Sequence, residues 1–228
     1  MTATSEPRTT RHSDHIKSRQ RVRDLAEVYT HEREVTEMLD LVPDMFPTVS
    51  NPSNTDRKFL EPACGSGNFL EAILKRKLAF VTTKRYGMGE RYEHRILRAL
   101  ASIYAIDIDE ENVIESRDRL RAVIDSDVNN ELNTRAISEG FADAVEVILE
   151  TNLVHADALK DANSIRFVDY RAGRSGTFTR EWSPIRPSSD LFALLETERD
   201  EQPVHYSEIA AHPGPVTSAT TLKKTKKA

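Results

Sequence analysis

One stretch constrains this chain more than any other: Phe59-Leu60-Glu61-Pro62-Ala63-Cys64-Gly65-Ser66-Gly67-Asn68-Phe69-Leu70. A short apolar run ends in a carboxylate, and a Gly-x-Gly turn follows. Apolar residues then recur at helical spacing through Phe69, Leu70, Ile73, Leu74 and Leu78. The layout is strand, glycine turn, helix. Gly65 and Gly67 reach positive φ without a Cβ penalty and let backbone approach a ligand closely. The helix behind them leaves its first N–H groups without intrahelical partners, at the mouth of the turn. This is the layout of a nucleotide-type cofactor site in an α/β fold. Taken alone, the turn reads equally well as a structural loop. The rest of the chain separates the two.

Before the turn, Thr30 is expected to cap a helix whose first turn carries Glu32 and Glu34. Val35, Met38, Leu39 and Val42 give that helix one apolar face, and Pro43 and Pro47 stop it. Residues 49–57 contain Asn51-Pro52-Ser53-Asn54 and read as a surface loop. After the turn and its helix, residues 82–91 are polar with Gly87 and Gly89, a further loop. A helix over 92–102 buries Ile96, Leu97, Leu100 and Ile103. A strand over 104–109 ends in Asp107 and Asp109, and a helix over 111–124 follows. Residues 125–133 read as a loop. Ile137, Phe141, Ala144, Val145 and Ile148 mark another helix, and a third strand leads from 152–155 into Asp157.

This alternation predicts a parallel sheet with helices on its faces. Ligands of such sheets lie at the carboxyl ends of the strands. Glu61, Asp107 and Asp157 each stand at one of those ends, where carboxylates suit a ligand bearing hydroxyls and amines. Beyond residue 159 the period changes to two. Residues 165–170 and 177–182 alternate around Gly173-Arg174-Ser175-Gly176, a β-hairpin. Residues 190–198 suggest a short helix with Leu191, Leu194 and Leu195 buried. From Gln202 onward Pro, Ser, Thr and Lys dominate, and no fold is expected.

Charge is unevenly placed. Residues 1–23 carry a formal +4 and residues 203–228 a formal +3, so the total of −5 leaves −12 on residues 24–202. An acidic body with basic ends is a poor DNA-binding surface by itself. No apolar run approaches the ~20 residues of a membrane span, and the start of the sequence has no signal-peptide core. Cys64 is the single cysteine, which excludes an internal disulfide and fits a reducing cytoplasm. No cluster has metal-ligand spacing. The expected division is a basic arm over 1–23, an α/β domain over 24–164, a hairpin and short helix over 165–201, and a basic tail over 202–228. A short helix is expected around 16–25.

The chain from about Val22 to Leu159 resembles the amino-terminal half of the N6-adenine DNA methyltransferases of restriction–modification systems. Asp24-Leu25-Ala26-Glu27-Val28-Tyr29-Thr30-His31 is similar to the family's D-L-G-E-V-F-T-P element, with Ala26 and His31 departing from it. Glu61 to Phe69 is similar to the S-adenosylmethionine motif, 104–109 to the second cofactor motif, and 155–159 to the third, usually written G-D-A-L. The resemblance implies a Rossmann-like S-adenosylmethionine-dependent methyltransferase fold, partial or modified, with the hairpin appended. It implies that Tyr29 and Thr30 touch the methionine part of S-adenosylmethionine and that Glu61 holds its amine. Ala63, Gly65 and Gly67 pass under the cofactor. Asp107 takes the ribose hydroxyls, Ile108 packs on adenine, Asp157 takes the adenine amine, and Ala158 and Leu159 form a pocket wall.

The family's Asn/Asp-Pro-Pro-Tyr/Phe tetrapeptide is missing. Asn51-Pro52 precedes the cofactor strand and lacks the second proline and the aromatic, and Trp182-Ser183-Pro184 is no substitute. An adenine amine is a poor nucleophile, because its lone pair is delocalised into the ring. The family's tetrapeptide accepts hydrogen bonds from it and stacks on the flipped-out base. No catalytic residue is therefore assigned here. The resemblance implies a methyltransferase subunit that reaches DNA through a partner chain carrying Asn-Pro-Pro-Tyr. The alternative is a non-catalytic S-adenosylmethionine-binding or structural module of a restriction complex.

Overall fold

A computed structural model describes residues 30–132, 137–185 and 198–217. Tyr29, the basic arm, the helix expected around 16–25 and nearly all of the helix expected over 190–198 lie outside them.

Helix α1 (Glu32–Leu39) buries Val35 and Leu39 and leaves Met38 in solvent. It starts one residue later than expected. His31 is the N-cap, and its backbone N–H donates to Glu34 Oε2 at 3.1 Å, so the glutamate three residues on sets the boundary. Strand β1 (Phe59–Glu61) leads through the glycine turn into α2 (Asn68–Leu78), which buries Leu70, Ile73, Leu74 and Leu78. Lys77 on that helix is also fully buried. Its amine donates to the carbonyls of Thr55 at 2.9 Å and Arg57 at 2.6 Å, tying down the loop before β1, and burial lowers its pKa to about 7.

The polar segment expected as a loop over 82–91 holds a one-turn helix, α3 (Thr83–Tyr86), and the start of α4 (Glu90–Leu100). Strand β2 (Ile103–Asp107) follows, then α5 (Glu110–Leu132). Helix α5 runs through residues 125–132 of the stretch expected as a loop. The polar residues there have partners on other elements. Asp127 accepts from the Tyr92 hydroxyl at 2.8 Å, and Glu131 accepts from the Thr83 N–H and hydroxyl at 2.7 and 2.9 Å. Leu132 is buried. Helix α6 (Phe141–Asn152) then enters β3 (Leu153–His155).

The three strands form a parallel sheet in the order β1-β2-β3, with Glu61 paired to Ala105 and Asp107 to His155. The fold is mixed α/β. One face of the sheet, through Phe59, Ile103, Ala105 and Leu153, joins the helical core. Tyr104 and Ile106 on the other face pack against Ile165 and Phe167, so a hairpin rather than a helix covers them. That hairpin is β4 (Arg166–Ala172) and β5 (Thr177–Pro184), antiparallel with Tyr170 opposite Arg180. β6 (Glu198–Arg199) and β7 (Val204–His205) both pair with β5.

The expectation that nothing folds beyond Gln202 fails for residues 202–217. Val204, Tyr206 and Ile209 are buried in the same apolar cluster as Leu97, Phe141, Val168 and Phe178. The Tyr206 hydroxyl donates to the buried Glu93 at 2.5 Å. Arg180 and Asp200, 1% and 0% exposed, pair at 2.9 Å across β5 and the returning chain. Arg180 also donates to the carbonyls of His212 and Gly214, and Asp200 accepts from the N–H of Val216. A composition rich in small polar residues hid a segment held by a few large side chains. The hairpin and residues 202–217 are thus parts of one core rather than appendages. Among the described residues, no helix is long and apolar enough to cross a membrane.

Candidate functional site

The site is built at the carboxyl ends of β1 and β2. The turn after β1 is pinned to β2 by the Cys64 N–H, which donates to Ile106 O at 3.0 Å, and closes on itself through Gly67 N–H to Cys64 O at 3.0 Å. Asp107, 7% exposed, ends β2 beneath the turn. Its Oδ2 accepts from the Gly65 N–H at 2.7 Å. Its Oδ1 accepts from the Asp109 N–H at 2.9 Å and from Asn112 Nδ2 at 3.2 Å. Glu61 is half-buried and accepts from the Ala63 N–H at 3.3 Å.

The two glycines serve different ends. Gly67, at φ +90°, is buried, and a Cβ there would stand 2.8 Å from Ser116 Oγ and 3.0 Å from Ser116 Cα. Its missing side chain makes room for α5. Gly65, at φ +53°, has nothing within 4 Å of a would-be Cβ. That is the open side of the turn, where a ligand can approach the backbone.

Burial lifts the Glu61 carboxyl above its usual value. The Ala63 N–H opposes the rise, and the charge of Asp107 adds to it. Burial pushes the Cys64 thiol up to about 12, a rise that the Ser116 hydroxyl opposes and the carboxylates of Asp107 and Glu61 increase. Cys64 is therefore a neutral, buried thiol and no nucleophile.

The other expected residues divide. Ile108 stands beside Asp107 and is 55% exposed, an apolar surface at the strand end. Thr30 lies next to the start of α2, its carbonyl accepting from Asn68 Nδ2 at 3.4 Å. Tyr29 is outside the described residues. Asp157 folds back on its own turn, accepting from the N–H groups of Leu159 and Lys160 at 3.0 Å each and pairing with Lys160 at 3.1 Å. The Lys160 N–H, foremost among these contacts, holds its carboxyl below the usual range. Ala158 packs against the cluster of Tyr104, Ile106, Ile165 and Phe167, and Leu159 is 93% exposed. The structure thus brings Glu61, Ala63, Gly65, Gly67 and Asp107 together in one turn-and-strand unit. Asp157 caps a turn beyond β3, and Leu159 points to solvent.

Two residues escaped the sequence reading. Asn112 and Ser116 are 3% and 0% exposed, one turn apart on α5. Asn112 braces Asp107, and Ser116 Oγ donates to Gly65 O at 3.0 Å. The available signal was a polar pair spaced i, i+4 on the same helix face as Val113 and Leu120.

Among the described residues, β1 pairs with β2 on one side only. A cleft of about 300 Å³ lies along it, lined by Leu60, Tyr104, Phe167, Asp169, Glu181 and Ile185 among others. Compared with protein-family models, curated proteins and solved structures, the chain matches none of them.

Proposed function

We propose that this chain is the S-adenosylmethionine-binding part of a DNA adenine-N6 methyltransferase, acting in the cytoplasm with a partner chain that carries Asn-Pro-Pro-Tyr and contacts the DNA. The observation that carries the reading is the pairing of two carboxylates at adjacent strand ends with the open side of Gly65. The residues suit the cofactor. A half-buried carboxylate with one backbone donor has acceptor capacity left for an ammonium group, and such charge-assisted bonds are the strong ones. A glycine with clear space above it admits the close backbone contact a nucleoside needs. Ile108 offers an apolar surface for a purine.

When bound, S-adenosylmethionine supplies an electrophilic methyl group on a sulfonium. The part of this chain is to bind and orient it. Glu61 anchors the amine, the Gly65 turn limits how the nucleoside can lie, and Asp107 holds that turn in place. Methyl transfer to an amine then depends mainly on positioning. The acceptor base needs hydrogen-bond acceptors and a stacking ring from elsewhere, because the tetrapeptide is missing from this chain. Among the described residues β1 pairs on one side only, and the cleft along it is where we place such a partner.

The test has two stages. Titration calorimetry with S-adenosylmethionine is expected to show one site, lost in Glu61→Ala. Transfer of a labelled methyl group to DNA is expected only when a chain carrying Asn-Pro-Pro-Tyr is added. Absence of cofactor binding by the chain and its partner together refutes the reading. Binding without methylation of any DNA favours a non-catalytic module instead.

A further inference from the structure

We propose that Asn112 and Ser116 are positioning residues that preset the Gly65 peptide groups for the cofactor, an inference that rests on the S-adenosylmethionine reading. Both sides of Gly65 are held. Its N–H goes to Asp107 Oδ2 at 2.7 Å, and its carbonyl accepts from Ser116 Oγ at 3.0 Å. Asp107 does not stand alone in this, because Asn112 Nδ2 donates to its other oxygen at 3.2 Å, fixing the plane of the carboxylate. Asn112 and Ser116 lie one turn apart on α5 and so face the turn together. Helix α5 comes this close because Gly67 has no side chain, the separation from Ser116 Oγ to a Cβ there being only 2.8 Å.

The arrangement is a division of labour. Gly67 admits the helix, the helix brings Asn112 and Ser116, and these hold Gly65 with its open side outward. A peptide already in its bound orientation loses less freedom when the ligand arrives. Without the two side chains, Gly65 would sample the wide range of φ that glycine permits. The role is indirect, since neither residue reaches the open side of the turn.

The test uses Ser116→Ala and Asn112→Ala in the full chain, with Gly67→Ala as an independent way of displacing Ser116. The local readout is the Gly65 amide by NMR. In ligand-free protein its proton exchange is expected to speed up and its resonance to move, while amides of β2 and α2 keep their protection. The functional readout is calorimetry with S-adenosylmethionine. Each single hydrogen-bond deletion is expected to weaken binding roughly two- to tenfold, with little change in melting temperature. A residue with a merely structural role would lower the melting temperature and leave exchange at the Gly65 amide unchanged. If the Gly65 amide is unchanged in all three variants, or changes while affinity stays at the wild-type value, the proposal is overturned. If wild-type protein binds no S-adenosylmethionine, the cofactor reading falls, and with it the purpose assigned to the pair. The Gly65 amide still reports separately whether the pair fixes the turn.

Discussion

Glu61 carries a charge that opposes stability. Its carboxyl titrates above the ordinary value of 4.5 because burial and Asp107 both disfavour ionisation. The folded state therefore binds more protons than the unfolded chain between 4.5 and the raised value. Stability falls as pH rises through that window and stays lower above it. Glu61→Gln removes the charge, so it is expected to raise the melting temperature of the ligand-free protein at pH 7. If Glu61 holds the amine of S-adenosylmethionine as proposed, the same change should weaken that binding by about 1.5–3 kcal/mol, roughly ten- to a hundredfold in affinity, as a lost charge-assisted bond. Thermal melts and calorimetry on one preparation check both signs. In the wild type, affinity should begin to fall at a higher pH than an ordinary glutamate would give. The placement of Glu61 and Gly65 at the turn after β1 was legible in the sequence because it depends on local chain geometry. Asn112 and Ser116 were not, because a polar residue on a helix does not announce which distant carbonyl or carboxylate it will meet.

Among the strands, β5 has the most partners: β4, β6 and β7 all pair with it. The Arg180–Asp200 pair locks that junction, and each partner also satisfies backbone groups of the returning chain. Asp200→Ala would leave a buried guanidinium without its carboxylate and is expected to destabilise the protein by about 3–5 kcal/mol. Denaturant melts measure this, and proteolysis should then cut first within 201–217. The hairpin itself was readable from its alternating residues and glycine turn. The far end of α5 was not. Asp127 and Glu131 look like loop residues until Tyr92 and Thr83 are placed beside them.

For the whole molecule, one apolar cluster runs from Val35 and Leu39 on α1 to Tyr206 and Ile209 near the end of the described chain. A chain ending at Glu201 would lose Val204, Tyr206 and Ile209 from that cluster, at about 1.5–3 kcal/mol for each large apolar side chain. It is expected to melt well below the full chain or to aggregate, as circular dichroism and size-exclusion chromatography would show. A melting curve equal to that of the full chain would mean that residues 202–217 add nothing to the core. Their composition suggested a tail because only three buried apolar side chains and the partly buried Val216 anchor them, too few to make a periodic pattern.

The sequence by itself determined the alternation of strands and helices, the glycine turn and the carboxylates at the strand ends. These follow from the local period of apolar residues and from where glycine permits positive φ. Only the tertiary structure decided the rest. Gly67 yields to a helix while Gly65 keeps an open side, and Asp107 is braced from α5. Asp157 caps its own turn, and a hairpin covers the second face of the sheet. For the two glycines and Asp107 the physical reason is the same. Periodicity reports how much of an element is buried, whereas partners are chosen when packing brings residues distant in sequence within hydrogen-bonding reach.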